Sequence, residues 1–335
     1  MEKKQKIIGF CLVLTLLFGV MALPATAKEL TKVRLAEVVR SVFYAPLYVA
    51  ISQGLFAAEG IEIDMGTAWG ADKGAAALIS GSVDVGFFGP EAGIYIYNEG
   101  RKNHFVIFAE LTACDGSFLV GRHPEPDFSW ANLKGKTIVG GRPGGVPEMT
   151  LEWLIKTNGL EPLVDVPIIR NLAFTAAAGA FQSGTGDYVA LFEPTASVLE
   201  QEGFGYVVAA LGADAGPQAY TAFHASKELI KKDPDLIQRF TNAVYKGQIW
   251  VYQHTPEEIA TAIAQFFPDM EQDLLLSSID RYQAINAWQK TPVLSPEAFY
   301  QLQEVMFSAG ELTIRVPFEE LVDNTFAEKA VSLIQ

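Results

Sequence analysis

From residue 33 onward the chain alternates short β-branched runs with stretches whose apolar residues recur at helical spacing. Residues 33–39 read as a strand, and 45–56 as a helix with Pro46 in its first turn and Gly60 as a stop signal. The pattern continues with a strand at 61–65, a helix at 70–79, a strand at 83–88 and a helix opening after Pro90. Further strands are expected at 105–111 and 117–120. Strands separated by helices of about ten residues imply parallel strand–helix–strand crossovers.

A second series follows the polar stretch 123–136. It comprises strands at 137–140, 166–171, 188–192 and 206–210, with helices at 146–158, 173–182 and 195–202 between them. Beyond Lys227 the pattern is helical: 234–252, 256–267, 270–289, 296–309 and 318–329. Asp233-Pro234, Thr255-Pro256 and Ser295-Pro296 each place a capping residue before a proline at the first helical position. Two sheets with no loose linker predict an α/β chain of two lobes, each an open, mostly parallel sheet flanked by helices. Short crossing strands are expected near 118–121 and 220–223, with lobe one at 28–121 plus 222–335 and lobe two at 122–221. The helical tail is expected to return onto the first lobe.

The amino terminus changes the expected compartment. Lys3, Lys4 and Lys6 precede an apolar run over 7–23, which ends in the small-residue sequence Pro24-Ala25-Thr26-Ala27. That arrangement is a cleavable secretory signal peptide over residues 1–27, leaving 308 residues and a periplasmic product. Cys11 leaves with the leader, so Cys114 has no disulfide partner. The leader carries three lysines and one glutamate, so its loss takes the formal charge from −14 to −16. Such acidity argues against nucleic acid or an anionic membrane as a partner.

Several segments resemble the type II substrate-binding proteins of ABC importers for sulfonates, nitrate and thiamine-related pyrimidines. The opening stretch is Ser41-Val42-Phe43-Tyr44-Ala45-Pro46-Leu47-Tyr48-Val49-Ala50, followed by Gln53-Gly54-Leu55-Phe56 and Glu59-Gly60-Ile61. Ile79-Ser80-Gly81-Ser82-Val83-Asp84-Val85-Gly86, Leu133-Lys134-Gly135-Lys136, Gly184-Thr185-Gly186-Asp187 and Phe192-Glu193-Pro194 extend the likeness along the chain. The resemblance implies a monomeric solute-binding protein that closes by a hinge on a small molecule and delivers it to an ABC permease. It leaves the ligand open, because one scaffold serves many functions.

Open parallel sheets bind ligands beyond the carboxyl ends of their strands, which makes strand ends the candidate positions. In the first half these are Ser41, Phe43 and Tyr44 after the first strand, Trp69 after the second, Gly89 and Glu91 after the third, and Thr112 and Asp115 after the fourth. In the second half the turn Gly140-Gly141-Arg142-Pro143-Gly144-Gly145 precedes a helix, and Arg142, Gly144 and Gly145 there suit an anion. Phe174 and Thr175 open the next helix, and Glu193 is the first-choice carboxylate for an amine or the amino edge of a pyrimidine. The glycine turn and the carboxylates thus point to opposite ligand charges, which a zwitterion or an amino-pyrimidine would reconcile.

Catalysis, metal and cofactor are not expected. His104, His123, His224 and His254 are widely separated, no paired metal-ligand spacing occurs, and no Gly-x-Ser-x-Gly elbow is present. The alternatives are a ligand-presenting sensory protein and a thiamine-pyrimidine biosynthetic enzyme of the same fold. The enzyme's cysteine-rich segment has no counterpart here.

Overall fold

The computed structural model describes residues 29–101 and 105–334. The expected signal peptide and His104 lie outside the described residues. Among the described residues, ten strands form two five-stranded sheets. The first holds β1 (Thr31–Glu37), β2 (Ile61–Thr67), β3 (Val85–Phe88), β4 (Phe105–Glu110) and β10 (Ala222–Ser226), in the order β2-β1-β3-β10-β4. The second holds β5 (Ser117–Gly121), β6 (Ile138–Val139), β7 (Ile168–Ile169), β8 (Tyr188–Phe192) and β9 (Tyr206–Ala210), in the order β7-β6-β8-β5-β9. The helices of eight or more residues are α1 (Ala45–Ser52), α2 (Ala71–Ile79), α3 (Glu91–Asn98), α4 (Val146–Thr157), α5 (Phe174–Gln182), α6 (Pro234–Gln253), α7 (Pro256–Ile263), α8 (Gln272–Ala284), α9 (Pro296–Ser308) and α10 (Thr325–Leu333).

The run of strand, helix and strand closes through parallel pairs, β1 with β2 and β3 and β6 with β7 and β8. β3 and β4 are buried along their whole length, as expected for strands covered on both faces, whereas edge strand β2 alternates. β5 and β10 are the antiparallel members, each pairing with both neighbours in reverse. Each enters its sheet from the side of the other lobe and therefore runs against the strands that end there.

One expectation needs correction. Residues 118–121 do not cross between lobes; as β5 they form the fourth strand of the second sheet, paired Ser117 to Phe192 and Gly121 to Tyr188. The passages are instead 111–116 and 211–221, and we propose these as the lobe boundaries in place of 121/122 and 221/222. Tyr220 and Thr221 end the second passage, while Ala222 already belongs to β10. The two passages lie side by side. Leu111 N–H donates to Thr221 O at 3.0 Å, Thr221 N–H to Thr112 Oγ1 at 2.8 Å, and Gln218 N–H to Ala113 O at 3.1 Å. A Cβ on Gly212 would collide with the Asp115 carbonyl and sit 2.7 Å from Cys114 Sγ, so glycine is required for this approach.

The tail packs on the first lobe and also reaches the second. α6 crosses α1 so closely that a Cβ on Gly247 would run into the Pro46 carbonyl and lie 2.9 Å from Ala50 Cβ. The expected helix over 270–289 stops at Ala284, and residues 287–289 turn back along the first passage: Ala113 N–H donates to Ala287 O and Gln289 N–H to Leu111 O, both at 2.9 Å. Near the end of α8, Arg281 ion-pairs with Glu193 and, at 2.5 Å, with Glu200 on the second lobe. Tyr282 OH receives Glu193 N–H at 3.1 Å and donates to Gly116 O at 3.2 Å. α8 is therefore a strap across the rear of the cleft.

Two outcomes are expected. Gly247→Ala should cost about 1 kcal/mol net in urea unfolding, because overpacking (about 1–3 kcal/mol) outweighs the roughly 1 kcal/mol helix-propensity gain. A net gain would show that α1 and α6 can part freely. Arg281→Met leaves the buried Glu193 carboxylate uncompensated and should cost about 3–5 kcal/mol. The Arg281→Met/Glu193→Gln double variant should recover much of that loss, and an equal loss in both would refute the ion pair as its source.

Candidate functional site

The carboxyl ends of both parallel sets face one another, and a cavity of about 110 Å³ lies between them. Its first-lobe wall is Val38 and Val39 beyond β1, Tyr44, Gly70 and Ala71 at the start of α2, and Gly89 and Glu91 at the start of α3. Its second-lobe wall is Arg142, Gly145, Val146 and Pro147 at the start of α4, with Phe192 at the end of β8. Tyr220 and Thr221 of the second passage form its back. The cavity opens into a groove of about 800 Å³ lined by Asp72, Tyr95, Glu99, Arg101, Gly144 and Glu311 among others, with Ala71, Glu91, Arg142 and Gly145 common to both.

Glu91 is the polar centre of this space. Its residue is 7 % exposed, and its Oε2 has no hydrogen-bond partner among the described residues. Burial raises its carboxyl to about 7, against the lowering effects of its own backbone N–H and Arg142. The chain can place Glu91 here because Gly89 has no side chain; a Cβ there would overlap the Glu91 carboxylate. Arg142 is half-exposed and bonds Asp72 Oδ1 at 3.1 Å, an exposed pair between lobes worth at most about 1 kcal/mol. Tyr95 OH adds a second tie, donating to Gly144 O at 3.1 Å, and Gly144 adopts φ +75°, which glycine favours.

Three helix starts, those of α2, α3 and α4, meet at the cavity and favour negative charge by about 0.3–1 kcal/mol each. An anion about 4 Å from an ionised Glu91 would meet a repulsion of about 4 kcal/mol at an effective dielectric near 20. The charge state of Glu91 therefore outweighs the helix starts in deciding which ligand charge the cavity accepts.

Of the residues singled out from sequence, Tyr44, Gly89, Glu91, Arg142 and Gly145 line the cavity, and Gly144 lines the groove. The others fall elsewhere. Phe43 is fully buried against Tyr220, Tyr282 and Phe192, with ring centroids 4.9–6.3 Å apart. Ser41 caps the turn ahead of α1, accepting from Phe43 N–H at 3.2 Å, and donates to Glu193 O at 3.5 Å across the lobes. Trp69 is 61 % exposed at φ +61° and lies outside both spaces. Thr112 and Asp115 are buried within the first passage, where Asp115 Oδ1 accepts from Ser117 N–H at 2.7 Å and from the Ser117 hydroxyl.

Glu193, the first-choice carboxylate, is behind the cavity. Its side chain is shut from solvent, paired with Arg281, and accepts from Ser197 N–H at 3.1 Å. Its role is to anchor the strap. Thr175 is exposed on α5 and outside the cavity lining, and the side chain of Phe174 lies outside the described residues.

Val38, Val39, Gly70, Ala71, Val146, Pro147, Phe192, Tyr220 and Thr221 were missed. The strand-end rule reaches Val38, Val39, Gly70 and Phe192 once strand limits are known. Tyr220 and Thr221 carry no such signal, because they line the cavity only through the pairing of the two passages.

Residues 42–259 match the family described as NMT1/THI5 like. YtlA of Bacillus subtilis (strain 168), whose name calls it a candidate binding protein, is 42 % identical over 318 residues, spanning 94 % of this chain and 95 % of YtlA. Among solved structures, the alkanesulfonate-binding protein SsuA from Xanthomonas axonopodis pv. citri, bound to MOPS, superposes with a TM-score of 0.70 at 17 % identity over 89 % of this chain and 99 % of SsuA. The desulfurization enzyme DSZB shares the fold too, with a TM-score of 0.65 at 15 % identity over 91 % of this chain and 100 % of DSZB. The family match spans more than half of the sequence, and the two-lobed architecture agrees with it: the chain belongs to the NMT1/THI5-like family.

Proposed function

We propose that this protein is an extracytoplasmic solute-binding protein that holds a small molecule between its lobes and delivers it to an ABC importer. The observation that carries this reading is the cavity at the carboxyl ends of both sheets, walled by both lobes and lined by the buried Glu91, one of whose carboxyl oxygens has no hydrogen-bond partner among the described residues. A ligand touching both walls favours the closed arrangement by its differential contacts, and closure presents a surface made by both lobes to a permease. The names of YtlA and SsuA support a binding role, and the secretory leader read from residues 1–27 supports a periplasmic location. We read the chain as acting as a monomer. No helix among the described residues is long and apolar enough to cross a membrane.

The kinship in fold with a desulfurization enzyme makes catalysis the competing reading. Supporting the non-enzymatic one, the cavity wall contains neither cysteine nor histidine. Cys114 is buried in the first passage, where burial pushes its thiol up to about 12, far from a reactive thiolate. His224 stacks on Phe88 at 4.2 Å in the core, and burial lowers it to about 3, so it stays neutral and away from the cleft.

Thermal unfolding of the protein without its leader, against taurine, alkanesulfonates, nitrate, bicarbonate, amino-pyrimidines, polyamines and small guanidinium salts, tests the reading. A binding solute should stabilise the fold saturably, by about 2.7 kcal/mol at one hundred times Kd. Ala71→Phe, which fills the junction of cavity and groove, should weaken that solute at least about tenfold with little change in the unliganded melting point. A solute that stabilises both forms equally would place the site elsewhere, and turnover of any panel member would favour the enzyme.

A further inference from the structure

The cleft carries more acid than its fold requires. Six charged residues line the cavity and groove: Asp72, Glu91, Glu99 and Glu311 against Arg101 and Arg142. Both arginines are already matched, Arg142 to Asp72 at 3.1 Å and Arg101 to Glu99 at 2.9 Å. Glu91 and Glu311 remain without an ion pair among the described residues, and Glu91 Oε2 has no hydrogen bond at all. The wall nearest Glu91 is apolar and aromatic, with Tyr44, Phe192 and Tyr220 in the cavity. A buried acceptor among aromatic rings suits a cation with N–H donors, through a charge-assisted hydrogen bond and the ring faces.

We propose that the solute of this cleft is a compact organic cation bearing N–H donors, an amine, amidine or guanidinium, whose charged group docks on the Glu91 carboxyl while the rest extends into the acidic groove past Glu311. The inference rests on the solute-binding reading and names the class of solute. The groups acting on Glu91 are Asp72 and Arg142 from the two sides of the groove, and the hydroxyls of Tyr44, Tyr95 and Tyr220, which themselves feel its charge. Burial holds the Glu91 carboxyl near 7, so the unliganded site is protonated in mild acid, and a cation must displace that proton. Affinity then rises with pH up to about 7 and levels above it.

The test titrates methylguanidinium, ethylammonium and methanesulfonate into the leaderless protein by calorimetry between about pH 5.5 and about pH 8.5, in wild type and Glu91→Gln. At least one cation should bind, weakening about tenfold per pH unit below about 7, and Glu91→Gln should lose at least about thirtyfold. A ligand-free readout checks the variant. The wild-type fold favours protonated Glu91, so its stability should fall as pH rises from 4.5 through about 7; Glu91→Gln should make that fall shallower, leaving the part contributed by Glu148, Glu110 and Asp115, whose carboxyls burial also raises. Methanesulfonate binding more tightly than either cation, and better in acid, overturns the proposal while the solute-binding reading stands. Cation binding that is indifferent to Glu91→Gln overturns it too. If neither these probes nor any solute of the wider panel binds, both readings fall.

Discussion

The chain passes between its two sheets twice, and the two passages are hydrogen-bonded to each other along Leu111–Ala113 and Gln218–Thr221. Everything that distinguishes this molecule from two separate α/β units depends on that pairing. It fixes which strand ends face each other, forces β5 and β10 to run against their neighbours, and brings Tyr220 and Thr221 to the back of the cavity. Paired extended segments are stiff along their length but can twist, which suits a hinge. Gly212 is the local condition for it, since any side chain there would push the two passages apart.

The buried acids divide between frame and cleft. Glu193 is held by Arg281, Ser197 N–H and the strap residue Tyr282. Glu37 at the end of β1 is likewise held by Arg40, Tyr48 and Thr67. Behind the glycine turn, Glu148 and Glu152 share Arg170, and burial beside a second carboxyl raises Glu148 to about 8. Each of these is satisfied within the framework and serves rigidity. Glu110 Oε1 and Asp115 Oδ2 also lack a hydrogen bond, but Glu91 alone of these three acids lines the space between the lobes.

Rigid parts and soft contacts are segregated accordingly. At the rear, α8 and the segment after it bind both lobes through buried groups. At the front, the lobes touch through the exposed Asp72–Arg142 pair and through Tyr95 OH, which donates to Gly144 O and Met149 Sδ, while alongside them α4 packs on the tail helix α9 and Lys156 Nζ donates to Ser308 O. Breaking the front contacts costs little free energy, whereas the rear contacts involve desolvated charge. Opening at the front about the paired passages is the motion this distribution permits.

Hydrophobic periodicity by itself determined the succession of strands and helices and the presence of two sheets, because both are written in local spacing, while the family likeness came from short residue segments such as Ser41–Ala50 and Phe192-Glu193-Pro194. It also located Tyr44, Gly89, Glu91, Arg142, Gly144 and Gly145, since strand ends in an open parallel sheet gather at one edge. It misassigned 118–121, because so short an apolar run reads the same whether it crosses between lobes or fills the second sheet. It could not separate Glu193 from Glu91, as both follow a strand and sit beside a proline. Only the tertiary structure decided that distinction: Arg281, 88 residues away, neutralises one carboxylate, and nothing described reaches Oε2 of the other. Which buried charge acquires a partner is a long-range fact, and no local pattern encodes it.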